Sequence, residues 1–170
     1  MIADEALMTQ VAAGDTKAAN VLLSRYQKPL YKFIFQMTVN ENDSDDLLQE
    51  TWLRVIRYRH TFNIEKKFST WLFQIATNCT RDFFRKKKQI ASLEEIEPTQ
   101  CASKSSFENS EWASFLIKSL PLHQREVIAL KFFHEKKERE IAEILDIPLG
   151  TVKSRLHKAM HYLKGMKNEQ

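Results

Sequence analysis

Apolar residues recur along most of this chain at three- and four-residue spacing, the signature of helices with one buried stripe. Residues 3–13 read as a short opening helix. Asp15 or Thr16 can cap a second one starting near Lys17, and Val21, Leu22, Tyr26, Leu30, Phe33, Ile34 and Met37 carry its stripe to about Val39. Pro29 lies inside that stretch and is expected to kink or divide it. Asn40-Glu41-Asn42-Asp43 reads as a turn-rich break. Asp43 or Ser44 then caps a helix over about 45–58, with acids in its first turn favouring the helix dipole. Its inner face is Leu47, Leu48, Trp52, Val55 and Ile56, which leaves Asp46, Gln49, Glu50, Leu53 and Arg54 outside. RHTFNIEKKFST follows as a loop. Ser69 or Thr70 opens a helix to about Lys88, striped with Trp71, Leu72, Ile75, Ala76, Cys79 and Phe83 and ending in the basic run RDFFRKKK.

Residues 90–107 lose this periodicity and gain Ser, Thr, Pro and acids, so they read as a linker. Folded structure is expected to resume near Glu108, with Trp112, Phe115, Leu116 and Leu120 on a helix. Pro121 begins another, striped with Val127, Ile128, Leu130 and either Phe132 or Phe133. EREIAEILDIPLGTVKSRLHK, from Glu138 to Lys158, then reads as two short helices joined by a tight turn. Ile141, Ala142, Ile144 and Leu145 face inward on the first. Asp146 tolerates the left-handed backbone of a sharp turn, and Pro148 suits the start of the next helix. In the second helix Val152, Leu156 and Ala159 face in, and Lys153, Ser154, His157 and Lys158 face out. A helix-turn-helix places such an outer face in the DNA major groove. Periodicity alone leaves an ordinary helical hairpin with a solvated face equally open.

Composition narrows the class. Three Gly and four Pro in 170 residues is sparse punctuation for a multi-stranded sheet. The sequence predicts an all-α protein of two small helical domains, the second containing the helix-turn-helix, joined by a flexible linker. No apolar run is long enough to span a membrane and MIADEALMTQ lacks the features of a secretory signal, so a cytoplasmic protein is expected. Cys79 and Cys101 have no metal-ligand spacing and are most simply free thiols. His157 and His161 lie four apart without other ligand candidates nearby, so no metal and no cofactor is expected. There is no Gly-rich phosphate loop and no nucleophile with an evident partner. The net charge of +4 is unevenly placed: residues 1–90 carry +4, residues 91–110 carry −3 and residues 111–170 carry +3. Two basic blocks around an acidic connector suit two modules facing nucleic acid.

DDLLQETWLRVIRY and FSTWLFQIATNCTRDFFRKKK together resemble the second conserved region of bacterial sigma factors. LPLHQREVIALKFFHEKKEREIAEILDIPLGTVKSRLHKAMHYLK resembles their fourth region. A short linker joining the two directly is the layout of the extracytoplasmic-function (ECF) group, and the resemblance covers roughly residues 10–165. It implies a region 2 domain over 1–90, a linker over 91–107 and a region 4 domain over 108–170. It implies a factor without catalysis of its own or a small-molecule substrate, which binds core RNA polymerase and directs it to promoter DNA. Asp45, Asp46, Gln49, Glu50 and Arg54 match the surface that docks on the β′ clamp helices, while region 4 of such factors meets the β flap. The loop from Thr61 to Lys67, with Phe62 and Phe68, matches the place where the family holds a base freed from the −10 element. Asn78 and Asp82 match positions facing that strand, and Arg81, Arg85, Lys86 and Lys87 match phosphate contacts. Thr151, Lys153, Ser154, His157 and Lys158 fall on the helix that reads the −35 element, with Arg155 on phosphate. Such factors are commonly held inactive by an anti-sigma factor, and the linker would let the domains swing into an inhibited arrangement. Two departures stand out: Asp146 replaces the glycine often found at the turn, and the charged run EKKERE precedes the first helix of the motif. The alternative is a two-domain DNA-binding regulator that does not recruit polymerase.

Overall fold

The computed structural model describes residues 1–94 and 116–168. Among the described residues, these α-helices run in chain order: α1 (Asp4–Ala12), α2 (Thr16–Thr38), α3 (Glu41–Arg57), α4 (Phe68–Glu94), α5 (Leu122–Ile128), α6 (Glu138–Leu145) and α7 (Leu149–Asn168), and residues 116–118 are helical as well. A 3-10 turn (Arg59–Thr61) leads from α3 toward α4, and a π-helical stretch (Ala129–Phe133) continues α5. No strand occurs among the described residues. The helix expected to end near Lys88 runs on to Glu94, so the first residues of the expected linker are helical. The rest of that linker, Cys101, Trp112 and Phe115 lie outside the described residues.

Local chemistry explains most boundaries. The Asp15 carboxylate accepts the N–H groups of Lys17 and Ala18 and caps α2. Gly14, at φ +97°, makes the tight α1–α2 turn that a side chain would strain. Pro29 does not divide α2, which runs through it unbroken. Pro29 is on the exposed face, where water can take the carbonyl that loses its partner, while Leu30 and Phe33 anchor the helix in the core. The expected break at 40–43 is also corrected. Asn40 Oδ1 accepts the N–H of Asp43 at 2.9 Å, so α3 starts at Glu41 and not after Ser44. Ser44 lies buried inside the helix, its hydroxyl donating to the Asn40 carbonyl at 2.6 Å.

α4 is the axis of the molecule. The sequence shows one stripe on it, yet Phe68, Thr70, Leu72, Phe73, Ile75, Ala76, Thr77, Cys79 and Thr80 are all buried. That is burial on nearly every side. α2 and α3 cover one flank and α6 covers another. Helices of the two units thus share one continuous core, from Leu7, Phe33 and Leu72 through Val127, Leu130 and Ile141 to Val152. Each buried leucine there contributes roughly 1.5–3 kcal/mol of transfer free energy.

Candidate polymerase and promoter-DNA surfaces

The outer side of the α2–α3 pair carries the first surface. α3 buries Ser44, Leu47, Thr51 and Val55 against its neighbours. Leu48 and Trp52, expected on this inner face, are half-buried at its edge and pack against the core, while Ile56, expected there too, is exposed. They line an open groove of about 470 Å³ together with Leu23, Gln27, Asp45, Gln49 and Leu53. Leu53 is 55% exposed and Ile56 42%. The Trp52 indole N–H is buried in the wall with no acceptor. Leu23 escapes the sequence reading, which leaves Leu53 outside without a role, because each looks like one stray apolar residue on a polar face; only the pairing of α2 with α3 aligns them. Asp45, Asp46 and Gln49 are exposed along this edge. Glu50 and Arg54 are tied differently. The Arg54 guanidinium donates to Glu50 at 2.7 Å and to Asp82 at 2.9 Å, bracing α3 against α4. Those two carboxylates hold its pKa above the ordinary arginine range.

The residues expected at the −10 strand divide into three sets. Phe68 has no exposed surface; it sits against Tyr26, Phe62 and Trp71 with ring centroids 5.3, 6.0 and 6.1 Å away. In this arrangement it is a core residue that fixes the half-buried Phe62 and cannot itself touch DNA. Asp82 is held by Arg54 and Arg85, while Arg85, Lys86 and Lys87 are exposed in the C-terminal half of α4. Lys87 lies over the Phe83 ring, 5.6 Å from its centroid. Asn78 and Arg81 point to a third place, a cleft of about 780 Å³ shared with His123, Asp146 and Arg155. There Arg81 makes a two-pronged ion pair with Glu126, both contacts at 2.9 Å. The Glu126 side chain is only 1% exposed.

The helix-turn-helix is built as its sequence pattern implies. α6 buries Ile141, Ile144 and Leu145, and α7 buries Val152, Leu156 and Ala159. Asp146 adopts the left-handed conformation at φ 52° and ψ 51°, the one the family's glycine would supply. Lys153, Ser154, His157 and Lys158 are exposed on one side of α7, with Thr151 half-buried at its start and Arg155 half-buried toward the cleft. The charged run before α6 has a use that sequence reasoning did not find. Glu140 reaches back to the Lys137 N–H at 2.9 Å and caps α6. It also pairs with Lys67 at 3.1 Å, while Lys136 donates to Ser69 at 3.3 Å and lies over the Phe73 ring.

The π-helical stretch settles a pair of alternatives. Phe132 is 55% exposed, while Phe133 is half-buried under the Lys32 ammonium. His134 follows and inserts between Phe33 and Phe73, at 5.7 and 5.2 Å, with a ring nitrogen 3.2 Å from Gln36 Oε1. Burial, with Lys32 and Lys136 nearby, pushes its pKa down to about 4. Cys79 is a buried free thiol, pushed up by desolvation. No described helix is long and apolar enough to cross a membrane. Among the described residues, no group of three or more His, Cys, Asp or Glu could hold a metal ion.

An all-helical chain with a grooved N-terminal unit and a C-terminal helix-turn-helix defines a two-part DNA-binding protein. The comparisons go further. Residues 22–90 match the family model for Sigma-70 region 2, and residues 111–163 match that for Sigma-70, region 4. The chain is 35% identical to the ECF RNA polymerase sigma factor SigW of Bacillus subtilis (strain 168), with 91% of each chain covered. It is 30% identical to the ECF RNA polymerase sigma-E factor of Haemophilus influenzae, covering 96% of this chain and 94% of that one. This protein therefore belongs to the ECF RNA polymerase sigma factors. Its fold is shared with CnrH in complex with the cytosolic domain of CnrY (TM-score 0.77, 23% identity, 99% of both chains). It is also shared with the sigma factor RpoE in complex with the anti-sigma factor NepR from Bartonella quintana (TM-score 0.76, 22% identity, 89% and 98%).

Proposed function

We propose that this protein binds core RNA polymerase through the α2–α3 surface and directs it to promoters through two separate DNA contacts. The observation that carries the assignment of surfaces is the pairing, in one chain, of an acid-rimmed apolar groove with an outward basic helix. An exposed apolar groove marks a protein interface. Asp45 and Gln49 line it, Asp46 is exposed beside them, and Glu50 lies on the adjoining face of α3, held by Arg54; together they suit a basic partner, the clamp helices of β′. The C-terminal unit would meet the β flap. Residues 1–90 serve the −10 element, 108–170 the −35 element, and 91–107 tether them. Phe62 with the Thr61–Lys67 loop would receive a freed base, at the cost of a few kcal/mol of unstacking. Asn78, Arg81, Arg85, Lys86 and Lys87 would follow the strand. Lys153, Ser154, His157 and Lys158 would read duplex edges, with Thr151 and Arg155 on phosphate. The protein is not an enzyme, takes no cofactor and works in the cytoplasm, since polymerase supplies the chemistry. Control by an anti-sigma factor is supported by the structural relative solved with one.

The test is reconstitution: purified protein is added to core polymerase with genomic promoter fragments, and transcripts are mapped. Start-site-specific initiation that depends on the added protein is expected. Binding to DNA by the chain without any such initiation would instead favour a regulator that does not recruit polymerase.

A further inference from the structure

We infer that this chain latches itself shut, with Glu126 of the C-terminal unit occupying Arg81 in place of a promoter phosphate. Arg81 is reached from the proposed function as a phosphate contact on the −10 side, and the inference rests on that reading. In the structure its guanidinium is taken by both oxygens of one carboxylate, the same forked geometry with which arginine grips phosphate. Glu126 is 1% exposed. Were Arg81 drawn onto DNA while the units stayed docked, a buried carboxylate would be left without a counter-charge, which is strongly disfavoured. Arg81 can therefore move to phosphate only as Glu126 moves into water. Strand binding and closure exclude one another.

Geometry supports the same exclusion. Arg81 and Arg155 line one cleft, yet they serve two separate promoter elements. The closed chain cannot engage both. Further polar contacts accompany the apolar core that the two units share. Gln74 donates to the Glu143 carbonyl at 2.7 Å, and Arg125 donates to the Met37 carbonyl. Lys136 and Glu140 of the EKKERE run engage Ser69 and Lys67. The run that departs from the family pattern is thus part of what holds the units together. The reading helix stays open: Lys153, Ser154, His157 and Lys158 are exposed with the latch shut. Closure withholds Arg81 from the −10 strand and leaves these four −35 residues free.

Small-angle scattering on the full chain measures the latch without polymerase, so its outcome does not depend on initiation activity. The closed form should have a radius of gyration of about 16 Å. Glu126→Gln and Arg81→Ala should each lower the closed-to-open ratio about tenfold and swell the chain, with helicity and cooperative melting retained. Arg81→Ala alters only the half-exposed partner and serves if the buried substitution disturbs folding. The exchanged pair Arg81→Glu with Glu126→Arg should restore the compact radius. In low salt, Glu126→Gln should bind a short fluorescein-labelled single-stranded DNA several-fold tighter than wild type, and adding Arg81→Ala should abolish the gain. An unchanged radius in both single variants overturns the latch. Swelling without tighter DNA binding overturns the exchange of Glu126 for phosphate.

Discussion

Single residues carry more than one constraint here, and Asp146 shows the simplest case. Its left-handed backbone is a position that glycine fills without strain, and Asp is among the few other residues that visit it routinely. The turn therefore forms without the family's glycine, and α7 is presented as the pattern requires. Lys153 and Lys158 stand fully outside any packing role. Lys153→Ala and Lys158→Ala should lower −35-dependent initiation about tenfold or more, since a good base contact discriminates by ~1–3 kcal/mol. Polymerase pull-down by both variants should match wild type; an equal loss there would remove them from the DNA face. Phe68 teaches the opposite lesson. Beside a basic loop an aromatic looks available to a base, but nothing local reports that Tyr26, from a helix forty residues earlier, packs against its ring.

At the scale of elements, α3 and α4 were visible in outline and misread in orientation. The apolar positions of α3 span two adjacent faces. One meets α4 through Leu47 and Val55, and the other turns outward beside Leu23 of α2. A periodicity cannot apportion a wide stripe between a core and a docking groove. Asn40 likewise looks like part of a turn until its side chain is seen closing the first turn of α3. On α3, Asp46→Ala combined with Glu50→Ala should weaken assembly with core polymerase, by about 0.5–2 kcal/mol for the loss of charge beside the groove. Titration of labelled polymerase checks it, and the loss should shrink as salt rises. The Arg54–Asp82 bond should preserve the α3–α4 brace in this variant, leaving the melting temperature nearly unchanged.

Across the whole molecule, docking of the two units is sensitive to acid through His134. The ring enters an aromatic slot between Phe33 and Phe73 and is held neutral there, with its pKa lowered from 6.5 to about 4. Above pH 6.5 both folded and unfolded chains carry the neutral ring, and this site makes no slope. Between 6.5 and about 4 the unfolded or undocked chain binds the extra proton, so stability falls as pH falls through that window. The loss should reach about 3 kcal/mol at the bottom of the window. Denaturant melts at stepped pH should show this slope in wild type, and His134→Gln should flatten it. An unchanged slope would assign the acid sensitivity to other groups.

The amino-acid sequence by itself determined the helical class, the two-part order of the chain, the inward and outward residues of the helix-turn-helix and the family. These follow from local periodicity and from motifs read in order, and neither depends on what lies across the core. Tertiary structure alone decided that α4 is buried on a second flank, that Leu48, Trp52 and Ile56 border an open groove, and that Arg81 belongs to Glu126. Each of these is a pairing between positions far apart in the chain, 45 residues for Arg81 and Glu126. A side chain's charge and spacing state what it can bind. Which partner it holds is settled only when folding brings one within about 3 Å and takes the water away.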